Sequence, residues 1–134
     1  MSVNYLDKSL SFLKKSDIEI GTSWQNIFSS VGNEGGYFLS CSITFSSNKP
    51  SIKVIVDGVT VMDGLSPEFL TSNDSLGISG GFGFVSALND KNVTLDFGAG
   101  IQVKESFKIQ VKSGGGNKTM NAGLFTYYLN GTVS

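Results

Sequence analysis

The chain has 134 residues, a formal net charge of −1 and 40% hydrophobic residues, which suits a single globular domain with its own core. It contains no histidine, and all ten of its basic residues are lysine. These absences exclude Ser-His and Cys-His nucleophile pairs and arginine clamps, and the charge argues against a nucleic-acid partner. We therefore expect a protein that is not an enzyme and needs no cofactor.

The first sixteen residues, MSVNYLDKSLSFLKKS, are the least regular part of the chain, with Leu6, Leu10 and Leu13 among charged residues. We predict that residues 1–16 form an arm or docking segment that contacts a neighbour, and that residues 17–134 form one β-sandwich domain. No apolar run reaches the length of a membrane helix, and the charged N-terminus does not resemble a signal peptide. We expect synthesis in a cytosol and no membrane contact.

The segment TSWQNIFSSVG allows two interpretations. Trp24, Ile27, Phe28 and Val31 have the spacing of a helical stripe, whereas the β-branched and aromatic residues favour a strand. We favour the strand, because the chain beyond it alternates between apolar and polar residues, as in GYFLSCSITFSS and SFKIQVK. FGFVSAL, from Phe82 to Leu88, reads as a buried strand.

Regularly spaced turn residues divide the chain into about eight to ten short strands, which predicts an all-β, antiparallel β-sandwich, with a jelly roll as the favoured form. In IKVIVDGVTVMDG, Asp57-Gly58 predicts a type I′ hairpin turn, and Asp63-Gly64 predicts a second corner. The residues between the two aspartates are Val, Thr, Val and Met, so they supply no set of oxygen ligands for calcium. We expect no metal site here.

Other candidate chemistry is weak. Asp96 is predicted to face outward and Glu105 to lie in a turn, so no paired carboxylates are expected. Cys41 is predicted to point into the core as an inert thiol. The cluster GGFG matches no phosphate-binding loop. Trp24, Tyr127 and Tyr128 are the aromatic candidates for a glycan contact, with packing or an oligomer contact as the alternative.

The order of SWQNIFSSVGNEGGYFLSCSITFSS, PSIKVIVDGVTVMDG, ESFKIQVKSGGG and GLFTYYLNG resembles small jelly-roll structural proteins of tailed-bacteriophage virions. The resemblance covers roughly residues 18–130 as a pattern of strands and turns. It implies a capsid-decorating, cementing or tail-associated protein that forms homo-oligomers, with a trimer favoured, and contacts other virion proteins. The alternative is a carbohydrate- or receptor-binding module at a tail or fibre tip, with a host glycan as partner. The resemblance supplies no active-site residues.

Overall fold

The computed structural model describes residues 10–47, 50–65, 85–86 and 91–134. These residues form ten strands and no helix. The strands are β1 (Ser11–Ile20), β2 (Gln25–Val31), β3 (Gly36–Phe45), β4 (Ser51–Val56), β5 (Val59–Leu65), β6 (Val85–Ser86), β7 (Asn92–Val103), β8 (Ser106–Lys112), β9 (Lys118–Tyr128) and β10 (Thr132–Val133). The predicted all-β class is confirmed. In the described ranges there is no helix long and apolar enough to cross a membrane.

Two five-stranded antiparallel sheets face each other. The first sheet has the order β1-β9-β3-β7-β6, and the second has the order β10-β2-β8-β4-β5. The pairs nest inside one another: β4–β5 is enclosed by β3–β7, then by β2–β8, and then by β1–β9. Successive pairs alternate between the sheets, which is the strand order of a double-sheet jelly roll. The antiparallel β-sandwich predicted from the turn spacing is therefore present.

The core lies between the sheets because the strands alternate in polarity. On β8, Phe107, Ile109 and Val111 are fully buried, while the residues between them stay partly exposed. Such alternation places every second side chain on the inner face of a sheet. Cys41 on β3 is buried in the same way, as its place in the alternation predicted.

Phe28 on β2 lies at the centre of an aromatic cluster that joins the two sheets. Its ring centroid lies 5.3 Å from Phe38, 5.9 Å from Phe107, 5.0 Å from Phe125 and 5.4 Å from Tyr127. Phe107 belongs to the same sheet as Phe28, and the other three rings belong to the facing sheet. Such ring pairs add stabilisation beyond burial alone.

The ambiguous segment around Trp24 is a strand, as favoured, and a β-bulge explains its helix-like pattern. The register of β2 against β8 shifts between Asn26 and Phe28. Ile27 and Phe28 are both fully buried although they are consecutive. A bulge places two residues opposite one and breaks strict alternation. The apolar spacing that resembled a helical stripe therefore comes from an irregular strand.

The predicted boundary after residue 16 falls inside β1. Residues 11–16 pair with β9 in the first sheet, so they belong to the sandwich rather than to a separate arm. Lys15 stands opposite Gly123 on the inward side, and partial burial lowers the pKa of its ammonium group. Charged, irregular strands at a sheet edge discourage unwanted strand addition. Leu6 and the rest of residues 1–9 lie outside the described residues.

The first Asp-Gly corner has the predicted geometry, and the second does not exist as a corner. Asp57 and Gly58 have φ angles of 52° and 81°, and a type I′ turn requires positive φ at both central residues. Asp63 and Gly64 lie within β5, which continues to Leu65 through two register shifts. Of the predicted strand FGFVSAL, Val85–Ser86 forms β6 beside β7; its other residues lie outside the described ranges.

Candidate functional site

The candidate aromatic residues do not share one surface. Tyr127 lies in the core, with 8% of its surface exposed. Tyr128 follows it on β9 and is half-buried, so by alternation it lies on the outer face of the first sheet. Trp24 immediately precedes β2, which belongs to the second sheet. The structure thus places the three rings in three different environments rather than along one groove.

Leu10, Phe12 and Leu124 form an exposed apolar strip on the first sheet. Their exposed fractions are 45%, 62% and 44%. On the outer face, Phe12 stands opposite Thr126, and Leu124 lies two residues from Thr126 on β9. Diagonal neighbours of this kind lie roughly 7–8 Å apart, within reach of an aromatic side chain. The strip therefore places three exposed apolar side chains near one another at the β1–β9 edge, with Lys14 opposite Leu124. Leu13, which was also predicted to dock, packs against the core instead. Leu6, the third predicted leucine, lies outside the described residues.

Polar side chains border the apolar strip. Ser42 on β3 stands opposite Leu124 in the register of β3 against β9. The Ser42 and Thr94 hydroxyl oxygens lie 3.4 Å apart, within hydrogen-bonding distance. An apolar centre with a polar border is the usual composition of a protein–protein contact surface.

Trp24 contacts two lysines on the outer face of the second sheet. The Lys53 Nζ atom lies 4.3 Å from the centroid of the indole ring, and the Lys112 Nζ atom lies 5.0 Å from it. Each contact is within the range of a cation–π interaction, worth about 0.5–1 kcal/mol when exposed. Two positive charges therefore lie against the ring, a setting that the sequence pattern did not predict.

Asp57 has a second role besides its turn. Its carboxylate accepts hydrogen bonds from the backbone N–H groups of Lys104 at 3.1 Å, Glu105 at 2.6 Å and Ser106 at 3.1 Å. The Asp57 N–H also donates to the Ser106 carbonyl at 2.8 Å. These bonds join the β4–β5 turn to the turn between β7 and β8. Both carboxylate oxygens thus accept hydrogen bonds from the backbone.

The electrostatics of Asp57 follow from these bonds. Partial burial raises the pKa of its carboxyl, but the three backbone N–H donors and the nearby Lys104 ammonium lower it more strongly. The net pKa lies below the usual range. A low pKa stabilises the charged form and opposes a role as a general acid.

The other candidate residues, Asp96, Glu105 and Cys41, do not lie in surroundings that would make them a catalytic acid, base or nucleophile. Asp96 is exposed, and its Oδ1 accepts a hydrogen bond from the Gly98 N–H at 2.9 Å. Glu105 lies in the turn between β7 and β8. Burial raises the pKa of the Cys41 thiol to about 12, against a smaller lowering by a backbone hydrogen bond with Leu95. No group of three or more potential metal ligands occurs in the part of the chain that the structure describes.

Comparison with known proteins adds no assignment. No protein-family model matches the chain, and no curated protein matches it either. The functional argument therefore depends on the surfaces described above. The two that stand out are the apolar strip on the first sheet and the lysines around Trp24 on the second.

Proposed function

We propose that this protein is a non-enzymatic structural component of a phage virion that acts as a homo-oligomer through the apolar strip. The observation that carries the proposal is the exposure of Leu10, Phe12 and Leu124 on one sheet face. Contiguous exposed apolar side chains mark contact surfaces, and their burial contributes about 25 cal/mol per Å² removed from water.

The position of the strip favours contact through a sheet face rather than through a sheet edge. In the second sheet, the edge strand β10 has two residues and the edge strand β5 carries two register shifts. The β1 edge of the first sheet carries a partly buried Lys15 and a positive φ at Asp17. Short and irregular edges hinder the addition of a further strand. A partner that packs side chains against the face meets no such obstacle.

The virion assignment is supported by the order of strand and turn segments that resembles phage jelly-roll proteins, together with a sandwich of nested strand pairs. In this role the protein decorates or cements a capsid, or belongs to a tail. Its contribution is the burial of surface between subunits and against the larger particle.

The oligomer is tested by measuring molar mass in solution by light scattering after size exclusion. We expect the wild type to run as an oligomer, with a trimer favoured, and the double variant F12S/L124S to run as a monomer. The matched control is V59S, which removes a side chain of 63% exposure from the other sheet and leaves the mass unchanged. A monomeric wild type, or equal effects of the two changes, contradicts the proposed interface.

The virion role is tested separately by mass spectrometry of purified phage particles from a lysate of the host. Peptides of this chain must copurify with the particles at a fixed ratio to the major capsid protein. Particles without the chain exclude the virion role, even if the protein is oligomeric in solution.

A further inference from the structure

The outer face of the second sheet carries three lysines around one position. Because Phe107, Ile109 and Val111 point into the core, Lys108 and Lys112 point outward on β8. Lys53 on β4 stands opposite Gln110, between these two lysines. Diagonal neighbours across two strands lie roughly 7–8 Å apart. Lys53, Lys108 and Lys112, here called the lysine face, therefore surround Gln110.

The lysine face has an excess of positive charge. Asp63, which stands opposite Lys53 in register, is the one acidic residue among the strand residues described in this sheet. Within the described part of the chain, no acidic side chain forms an ion pair with Lys108 or Lys112. Three lysines, with no acidic residue on β2, β4 or β8, leave this face positive although the whole chain has a net charge of −1.

Neutral hydrogen-bonding groups lie among these charges. The Gln110 Nε2 group donates to Asn26 Oδ1 at 2.9 Å. This bond leaves the Gln110 carbonyl and the Asn26 amide N–H groups available on the same face, since no described residue bonds to them. Amide groups of this kind bond readily to hydroxyls, with one donor side and one acceptor side. Trp24 adds an amphipathic ring beside Lys53 and Lys112.

We propose that the lysine face, with Trp24, Asn26 and Gln110, binds an acidic polysaccharide. Ammonium groups pair with carboxylate or phosphate substituents on the polymer, and the amides bond to sugar hydroxyls. A flat sheet surface suits an extended polymer that makes repeated weak contacts. Nucleic acid is disfavoured, because the chain has no arginine and Trp24 is its one tryptophan. The site lies on the sheet opposite the apolar strip, so it does not depend on the proposed oligomer.

The test uses the intact protein and the fluorescence of Trp24, which reports on this face without a label. The titrants are polygalacturonate as a carboxylated polysaccharide, dextran as a neutral one, polyphosphate as an anion without sugar, and double-stranded DNA. We expect a saturable change with polygalacturonate that weakens as salt is added, and no change with dextran.

Two double variants locate the site. K108Q/K112Q removes two charges from the lysine face and is expected to weaken polygalacturonate binding by roughly threefold to tenfold. K91Q/K104Q removes two exposed charges that flank β7, outside both the lysine face and the apolar strip, and is expected to change binding by less than about twofold. Thermal unfolding shows whether each variant remains folded. The fluorescence titrations are compared at a temperature at which both variants are folded.

Three results would overturn the proposal. The first is no fluorescence change and no heat of binding with polygalacturonate at low salt. The second is an equal loss of affinity in the two double variants, which would indicate attraction by overall charge. The third is binding of polyphosphate or DNA as tight as that of polygalacturonate, which would show that this face recognises charge rather than sugar.

Discussion

Removal of the Asp57 carboxylate tests how strongly two distant turns are joined. In Asp57→Asn, the side chain keeps one carbonyl acceptor and still tolerates the positive φ of 52°, but the charge is lost from the bonds to the backbone of residues 104–106. Hydrogen bonds to a charged group contribute about 1.5–3 kcal/mol when shielded. Because these bonds are exposed to water, we expect a loss of about 1 kcal/mol in the free energy of unfolding.

Asp57→Ala loses every acceptor and places a Cβ residue without a polar side chain in the left-handed region. The left-handed conformation costs about 1–2 kcal/mol for such a residue, so the total loss is expected to be about 2–3 kcal/mol. For a chain of this length, 1 kcal/mol corresponds to about 3–4 °C in Tm. Thermal unfolding followed by circular dichroism should therefore show Tm falling by about 3–4 °C for D57N and about 6–12 °C for D57A.

The pH dependence of Tm separates the contribution of the Asp57 charge from that of side-chain packing. Because the pKa of Asp57 is lower in the folded state, its ionisation stabilises the fold above the unfolded pKa of about 3.9. This contribution disappears as the pH falls through the lowered folded value. The difference in Tm between wild type and D57N should thus be constant from neutral pH to about pH 5 and vanish in stronger acid.

A matched control is Asp96→Asn, which alters a carboxylate that accepts a single backbone hydrogen bond within the described residues, from the Gly98 N–H at 2.9 Å. Its effect on Tm should be smaller than that of D57N. A D57N protein as stable as wild type, or a difference that persists unchanged to pH 3, about a unit below the unfolded pKa, would refute the reasoning.

Three further experiments test the packing around Gly131, Cys41 and Phe28. Gly131→Ala should lower the free energy of unfolding by about 2 kcal/mol or more, because the new Cβ would collide with the Val31 carbonyl oxygen; Gly114→Ala, where no atom lies within 4 Å, should have little effect in the same denaturant titration. Cys41 should resist a thiol reagent at pH 8 in the native protein and react once denaturant is added, because a pKa of about 12 leaves about one thiolate in 10⁴; rapid native reaction would contradict its burial. Phe28→Ala should cost about 3–5 kcal/mol and Phe28→Leu much less, and equal losses in urea titrations would show that the aromatic cluster does not depend on side-chain volume at this position.

Local chemistry made the Asp57-Gly58 hairpin predictable, because an Asp-Gly pair between two β-branched runs favours one turn type. Alternation likewise predicted the burial of Cys41. The bulge at Ile27 and Phe28 was harder to predict, because a bulged strand places apolar residues at spacings that also suit a helix. The start of β1 was missed because an edge strand with a charged residue on its inward side does not alternate cleanly.

The second role of Asp57 could not be predicted from the sequence, because its partners lie far away along the chain. Its carboxylate bonds to backbone groups 47–49 residues away, and backbone donors leave no mark in a sequence pattern. The contacts of Trp24 with Lys53 and Lys112 likewise join three strands or strand ends that are separated in sequence. Residue types could suggest these partners, but only the register of the sheets brings them together.

Nested strand pairing also determines the order in which the sandwich can close during synthesis. β4 and β5 are joined by a two-residue turn and can pair as soon as both have been made, whereas β1 pairs with β9 from the far end of the described chain. Of the four nested pairs, β1–β9 therefore joins the two strands that lie farthest apart in the chain. Since long-range pairing must overcome a large loss of chain entropy before it is rewarded, we expect slow folding in which β1 docks after the inner pairs have formed.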